Sequence, residues 1–144
     1  MHPSMEFAQK FAQAYAAMCK PLCHELNLTQ TAFDILMFLG NNPEHRTARD
    51  VVELRHIKAN LVSINVDRLV QQGYIKRRSI ADDRRKIELI CTERAQPLIL
   101  RGRKLQQDFF ERLFSGVDEA GRKLFEDTIR LMAKNLDDIW KEGK

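Results

Sequence analysis

The hydrophobic period of this chain changes twice, and those changes constrain its fold more than any other feature. Up to Gly73 the apolar residues recur at intervals of three and four, the repeat of helices that each bury one face. Across YIKRRSI and KIELIC the pattern turns to partial alternation, the mark of short strands. Beyond Thr92 helical spacing returns and holds as far as Trp140.

The first stripe is Phe7, Phe11, Tyr15, Met18 and Leu22, and it predicts a helix ending between Pro21 and Leu26. Thr29 is placed to cap a second helix carrying Ala32, Phe33, Leu36, Met37 and Leu39, which Gly40, Asn41, Asn42 and Pro43 stop. Thr47, with Asp50 three residues on, has the form of a capping box and opens a brief helix. After a break at Arg55, His56 and Ile57, the spacing predicts a helix over 58–72 that buries Val62, Val66, Leu69 and Val70 and stops at Gly73. YIKRRSI and KIELIC then form a hairpin, with ADDRR as its polar, basic tip. Thr92 caps a further helix through Leu98, Leu105, Phe109 and Leu113. Asp118 caps the last, which carries Leu124, Ile129, Leu131, Met132, Leu136, Ile139 and Trp140. Three helices followed by a hairpin is the winged helix-turn-helix arrangement. The expected fold class is therefore mainly α with a small β-hairpin wing, extended by helices at both ends.

Of the 144 residues, 44% are apolar, enough for a real core, and 31% are charged, which suits a soluble surface. The longest apolar run, near Ala32–Leu39, is interrupted by Asp34 and is far short of the ~20 residues that span a bilayer. MHPSMEF lacks the basic and apolar stretches of an export signal, so no membrane is expected and a cytoplasmic location is. The net charge of +4 is carried wholly by Lys76–Lys86, where six basic residues face two acidic ones. A neutral body with one cationic projection implies a polyanionic partner met at one place.

On the 58–72 helix, turning 100° per residue, Asn60, Ser63, Ile64, Asp67 and Gln71 face outward, with Leu61 and Arg68 at the border. Short polar side chains on such a face suit base edges in a major groove: Asn60 fits adenine, and the apolar Ile64 fits a thymine methyl. Lys58 and Arg68, with Thr47 and Arg49 on the preceding helix, are placed for phosphates. An ordinary amphipathic helix would show the same face; the short break before it and the basic hairpin after it make the combination more specific. In the hairpin, Asp82 and Asp83 beside Arg84, Arg85 and Lys86 would restrain the tip and leave one arginine projecting toward a narrow, negative minor groove. A self-neutralising surface loop is the alternative there.

With these residues in view, the chain resembles the MarR family of bacterial regulators. Leu28-Thr29, VDRLVQQGYIKRR from Val66 to Arg78, and DDRRKIELICTERA from Asp82 to Ala95 carry the resemblance, which spans Leu28–Ala95. It implies homodimers whose terminal helices interlock, here residues 1–27 and 96–144 around a winged domain at 28–95. It also implies a recognition helix in the major groove, Arg85 in the minor groove oriented by Asp83, and pseudo-palindromic duplex DNA as partner. The chain departs from the family pattern at Ala95, where glycine is usual, at Cys91, where Leu is usual, and at Ile64, where a polar residue is common. The last points to an altered operator preference.

The family also implies release from DNA by a small aromatic effector, by cysteine oxidation or by a metal, with repression as the outcome. Cys19 and Cys23 are the candidate redox residues. Their spacing of four does not readily close a disulfide, and Lys20 and His24 are near enough in sequence to lower the pKa of Cys23. The favoured reading of both is as buried small hydrophobes, and of Cys91 still more so. No histidine pair has metal-ligand spacing, and neither a metal nor a cofactor is expected. No glycine-rich phosphate loop, GxSxG or HExxH is present, which argues against an enzyme. The remaining alternative is a winged helix turned to protein interaction without DNA, which the concentrated charge disfavours.

Overall fold

The computed structural model describes residues 1–80 and 83–143, and at 83–85 the backbone alone. Its elements run α1 (Pro3–Glu25), α2 (Gln30–Asn41), α3 (Ala48–Arg55), α4 (Ala59–Gln71), β1 (Ile75–Ile80), β2 (Asp83–Cys91), a 3-10 turn (Glu93–Ala95), α5 (Gln96–Leu113) and α6 (Glu119–Glu142). The chain divides into two compact units, Met1–Phe109 and Phe110–Lys144.

In the first unit the core gathers around α2, whose Phe33, Ile35 and Leu36 are fully buried. Cys19 and Leu22 of α1, Val51 of α3, Val62, Val66 and Leu69 of α4, Ile75 and Leu89 of the hairpin, and Leu98 and Ile99 of α5 complete it. Burying each Leu, Ile or Val contributes on the order of 1.5–3 kcal/mol, so the inward stripe of α4 anchors that helix firmly. Helix α5 comes close to α2 through Gly102, where a Cβ would run into the Met37 side chain. Thr29 caps α2 by accepting from the Ala32 amide at 3.0 Å. At Thr47 the capping box closes in both directions, Thr47 Oγ1 accepting from the Asp50 amide at 3.0 Å and Asp50 Oδ2 from the Thr47 amide at 3.1 Å. Gly73, with φ +82°, ends α4, its amide donating to Val70 O and that of Tyr74 to Leu69 O.

Strands β1 and β2 pair antiparallel, Ile75 opposite Cys91 through Ser79 opposite Ile87, and the register then shifts so that Ile80 lies opposite Asp83. Two expectations are corrected here. The ADDRR segment is not all turn, because β2 already begins at Asp83, three extra residues on that strand being absorbed as an irregularity. Nor does the Thr92 side chain cap a helix: its hydroxyl donates to Gly73 O at 2.6 Å, tying the far end of the hairpin to the close of α4, and a 3-10 turn precedes α5. An isolated bridge, Thr47 to Glu88, with the Leu89 amide donating to Arg46 O at 2.6 Å, fastens the hairpin to the start of α3.

In the second unit Gly116, at φ +83°, turns the chain, and Asp118 caps α6 by accepting from the Gly121 amide at 2.7 Å. Phe114 meets Phe125 edge-on at 5.4 Å and carries the Arg122 guanidinium over its face at 4.5 Å. No residue of α6 is buried. Its apolar side chains stand exposed, Leu124, Leu131, Leu136 and Ile139 each by more than three-fifths. The helix is amphipathic, and its apolar face is uncovered.

Candidate nucleic-acid interface

Helix α4 turns as its apolar spacing requires. Val62, Val66 and Leu69 point into the core, and Asn60, Leu61, Ser63, Ile64, Asp67 and Arg68 lie exposed on the other side. Ile64 is 60% exposed, and Leu61 beside it 42%, so this face carries apolar as well as polar side chains. At the N-terminus Lys58 is the cap residue and makes no side-chain cap hydrogen bond, which leaves the positive end of the helix open to an anion.

The other predicted contact residues lie around this face. Arg49 of α3, Ser63 of α4 and Arg77 and Ile87 of the hairpin line one shallow groove of about 410 Å³. Arg49 is paired with Glu53 at 2.9 Å, an exposed i,i+4 pair that costs little to break. The Thr47 hydroxyl is engaged as an acceptor in the capping box, so only its hydrogen remains to offer a phosphate. Lys86 is exposed. Asp83, Arg84 and Arg85, on which the wing-tip reading rests, have side chains outside the described residues, and Ala81 and Asp82 lie outside them altogether.

Two charges of the basic window are not free cations. Arg77 is paired with Asp67 on α4, and Arg78 with Glu88 across the hairpin at 2.7 Å. The Arg77–Asp67 pair joins separate elements, and the Arg78–Glu88 pair depends on the hairpin's register, so neither is legible from local spacing. Sequence reasoning also passed over Asn65. It is the one buried polar residue among those described, 6% exposed on the inner side of α4.

The cysteines are core residues in this fold. Cys19 is fully buried, and burial pushes its thiol up. Burial pushes the Cys23 thiol up to about 11, opposite to the lowering expected from Lys20 and His24, whose side chains are exposed while Cys23 is buried. Cys91 is half-buried and also raised by burial. Tyr15, pushed up to about 12 by burial, accepts from Gln106 Nε2 at 3.0 Å. Among the described residues no group of three or more His, Cys, Asp or Glu is placed to hold a metal, and no helix is long and apolar enough to cross a membrane.

Residues 26–86 match the family model for the MarR family. Among solved structures, that of the transcriptional regulator SlyA superposes with a TM-score of 0.84 at 22% identity, covering 99% of each chain. A MarR protein from Peptoclostridium difficile gives 0.87 at 16% identity, over 97% of this chain and 91% of that one. A MarR family transcriptional regulator from Listeria monocytogenes, complexed with 26mer DNA, gives 0.83 at 21% identity, over 97% and 93%. At these identities the structural likeness establishes the fold.

Proposed function

We propose that this chain, whose residues 26–86 match the family model for the MarR family, is a homodimeric MarR-family transcriptional regulator that reads duplex DNA. The MarR family is one of transcriptional regulators, not of enzymes. In this reading α4 enters the major groove, with Asn60, Leu61, Ser63 and Ile64 toward the bases and Lys58, Arg68, Thr47 and Arg49 toward phosphates. The wing residues Arg84, Arg85 and Lys86 reach the adjacent minor groove, with Asp83 orienting Arg85. Residues 28–95 are the DNA-binding domain, and 1–27 and 96–144 supply the dimer contacts. Action as a cytoplasmic repressor, released by a small aromatic effector, completes the proposal. The raised thiols of Cys19 and Cys23 favour an effector over direct oxidation, since the thiolate is the reactive form.

The observation that carries this reading is the outward face of α4: exposed, short-chained and carrying an uncovered isoleucine, beside a groove flanked by cations from α3 and the hairpin. The test is selection of duplexes from a randomised library by the purified chain, followed by affinity measured across salt. A two-fold related site and a steep linear fall of log affinity with log salt are expected. Failure to hold any duplex at low salt, or binding indifferent to salt, overturns it in favour of a protein-interaction module.

A further inference from the structure

The geometry points to Asn65 as a positioning residue that sets how α4 presents its outer face, a role that rests on the DNA-binding reading above. Asn65 lies on the inner side of α4, among the valines and leucines that pack it. Its Nδ2 donates to Leu61 O at 2.8 Å, one turn back. Its Oδ1 accepts from Thr29 Oγ1 at 2.7 Å. That same Thr29 oxygen accepts from the Ala32 amide at 3.0 Å as the cap of α2. The polarity of the chain is fixed throughout. Leu61 O can only accept, so the amide nitrogen of Asn65 must face it and the oxygen must face Thr29; the Thr29 hydroxyl, whose oxygen is engaged as an acceptor, spends its one hydrogen on Asn65.

The consequence is directional. Val62, Val66 and Leu69 hold α4 against the core by burial, which is strong but has no preferred direction. Such packing leaves a helix some freedom to turn about its own axis. With outer atoms about 5 Å from the axis, a turn of about 20° carries them about 2 Å, several times the tolerance of about 0.5 Å for a working contact set. The hydrogen-bond chain from Ala32 through Thr29 to Asn65 and Leu61 removes that freedom. It pins the first half of α4, where Asn60, Ser63 and Ile64 project, to the N-terminus of α2. A buried amide costs stability unless it is bonded, and here the return on that cost is a fixed rotation of the reading face.

The test compares two duplexes, the one the wild-type chain enriches from a randomised library and a shuffled duplex of equal length and composition. Asn65→Leu keeps a side chain of similar size. Thr29→Asp keeps an acceptor for the Ala32 amide but has no hydroxyl hydrogen for Asn65, and Thr29→Ser keeps both. Asn65→Leu and Thr29→Asp are expected to lower the ratio of selected to shuffled affinity by about tenfold, the scale of one lost base contact. Shuffled-duplex affinity and its salt slope stay at the wild-type values, and Thr29→Ser retains the wild-type ratio. An unchanged ratio in both pin-breaking variants overturns the inference, as does an equal loss on both duplexes, which is what mere destabilisation produces. If Asn65→Leu does not fold, Thr29→Asp, at an exposed position, carries the same comparison. A wild-type chain that binds no duplex removes the DNA-binding reading and this role together, and that outcome is read from the wild-type measurement alone.

Discussion

The Asp67 carboxylate on the outward face of α4 accepts from the Arg77 guanidinium at the root of the hairpin, joining the two elements proposed to enter adjacent grooves. Both side chains are substantially exposed, so the pair contributes at most about 1 kcal/mol to stability. Its electrostatic effect is larger, because an unneutralised carboxylate on that face repels phosphates. Arg77→Ala is expected to weaken duplex binding by leaving the Asp67 carboxylate unneutralised, with little change in unfolding free energy. Asp67→Ala in the same background recovers part of the affinity. Anisotropy titrations across salt check this, and a double variant no better than Arg77→Ala alone defeats it.

Ile64 supplies a test of base contact. It is 60% exposed, so Ile64→Ala is expected to shift stability by no more than about 0.5 kcal/mol. A lost apolar contact with a thymine methyl costs about 1–2 kcal/mol of binding, at the methylene scale. The loss should concentrate at one thymine in each half-site and vanish when that base is replaced by uracil, which lacks the methyl group. Equal losses at every position refute the contact. Arg85→Ala, by contrast, is expected to weaken binding through the minor groove while leaving the dimer intact.

The thiols make an alkaline prediction. Cys23 is an acid whose pKa burial lifts from 9.0 to about 11. Between those values the unfolded chain has released the proton and the folded chain retains it. Stability is therefore complete below about pH 9 and falls as pH rises toward 11, and Tyr15 adds the same sign higher in the range. Urea titrations from pH 8 to 11 should show this fall, flattened in Cys23→Ala. At neutral pH a thiol reagent should label Cys19 and Cys23 only as fast as the core opens. Prompt labelling in the folded state contradicts that, and would restore direct oxidation as the signal.

What the sequence revealed and what it hid divide by range. The Thr47–Asp50 capping box, the Gly73 stop and the inward stripe of α4 depend on residues three or four apart, and each is where the spacing puts it. The features that were missed depend on distant partners. Thr92 looked like a cap, yet its hydroxyl finds the Gly73 carbonyl 19 residues earlier. Asn65 looked unremarkable because its partner Thr29 is 36 residues away. The start of β2 at Asp83 follows from cross-strand register, which turn-forming composition does not encode. Cys23 misled for the opposite reason: Lys20 and His24 are close along the chain but exposed, while Cys23 is buried, and burial raises its pKa.

The uncovered face of α6 bears the last prediction. Leu124, Leu131, Leu136 and Ile139 are spaced by seven, five and three residues and are all more than three-fifths exposed, with Met132 and Trp140 beside them. A helix of this pattern has too little intramolecular burial to hold its apolar side, and in the proposed dimer a second copy covers it. Leu131→Asp with Leu136→Arg places opposite charges in that seam. Sedimentation equilibrium should then give half the wild-type mass, while residues 26–86 keep their cooperative unfolding. Two linked half-site contacts gain roughly 10²–10⁴ over one, so affinity for a two-fold site should fall by that order, whereas affinity for a single half-site should barely change. A charged variant that remains dimeric shows that α6 is not the seam, and assigns the two-fold contact to α1 and α5 alone.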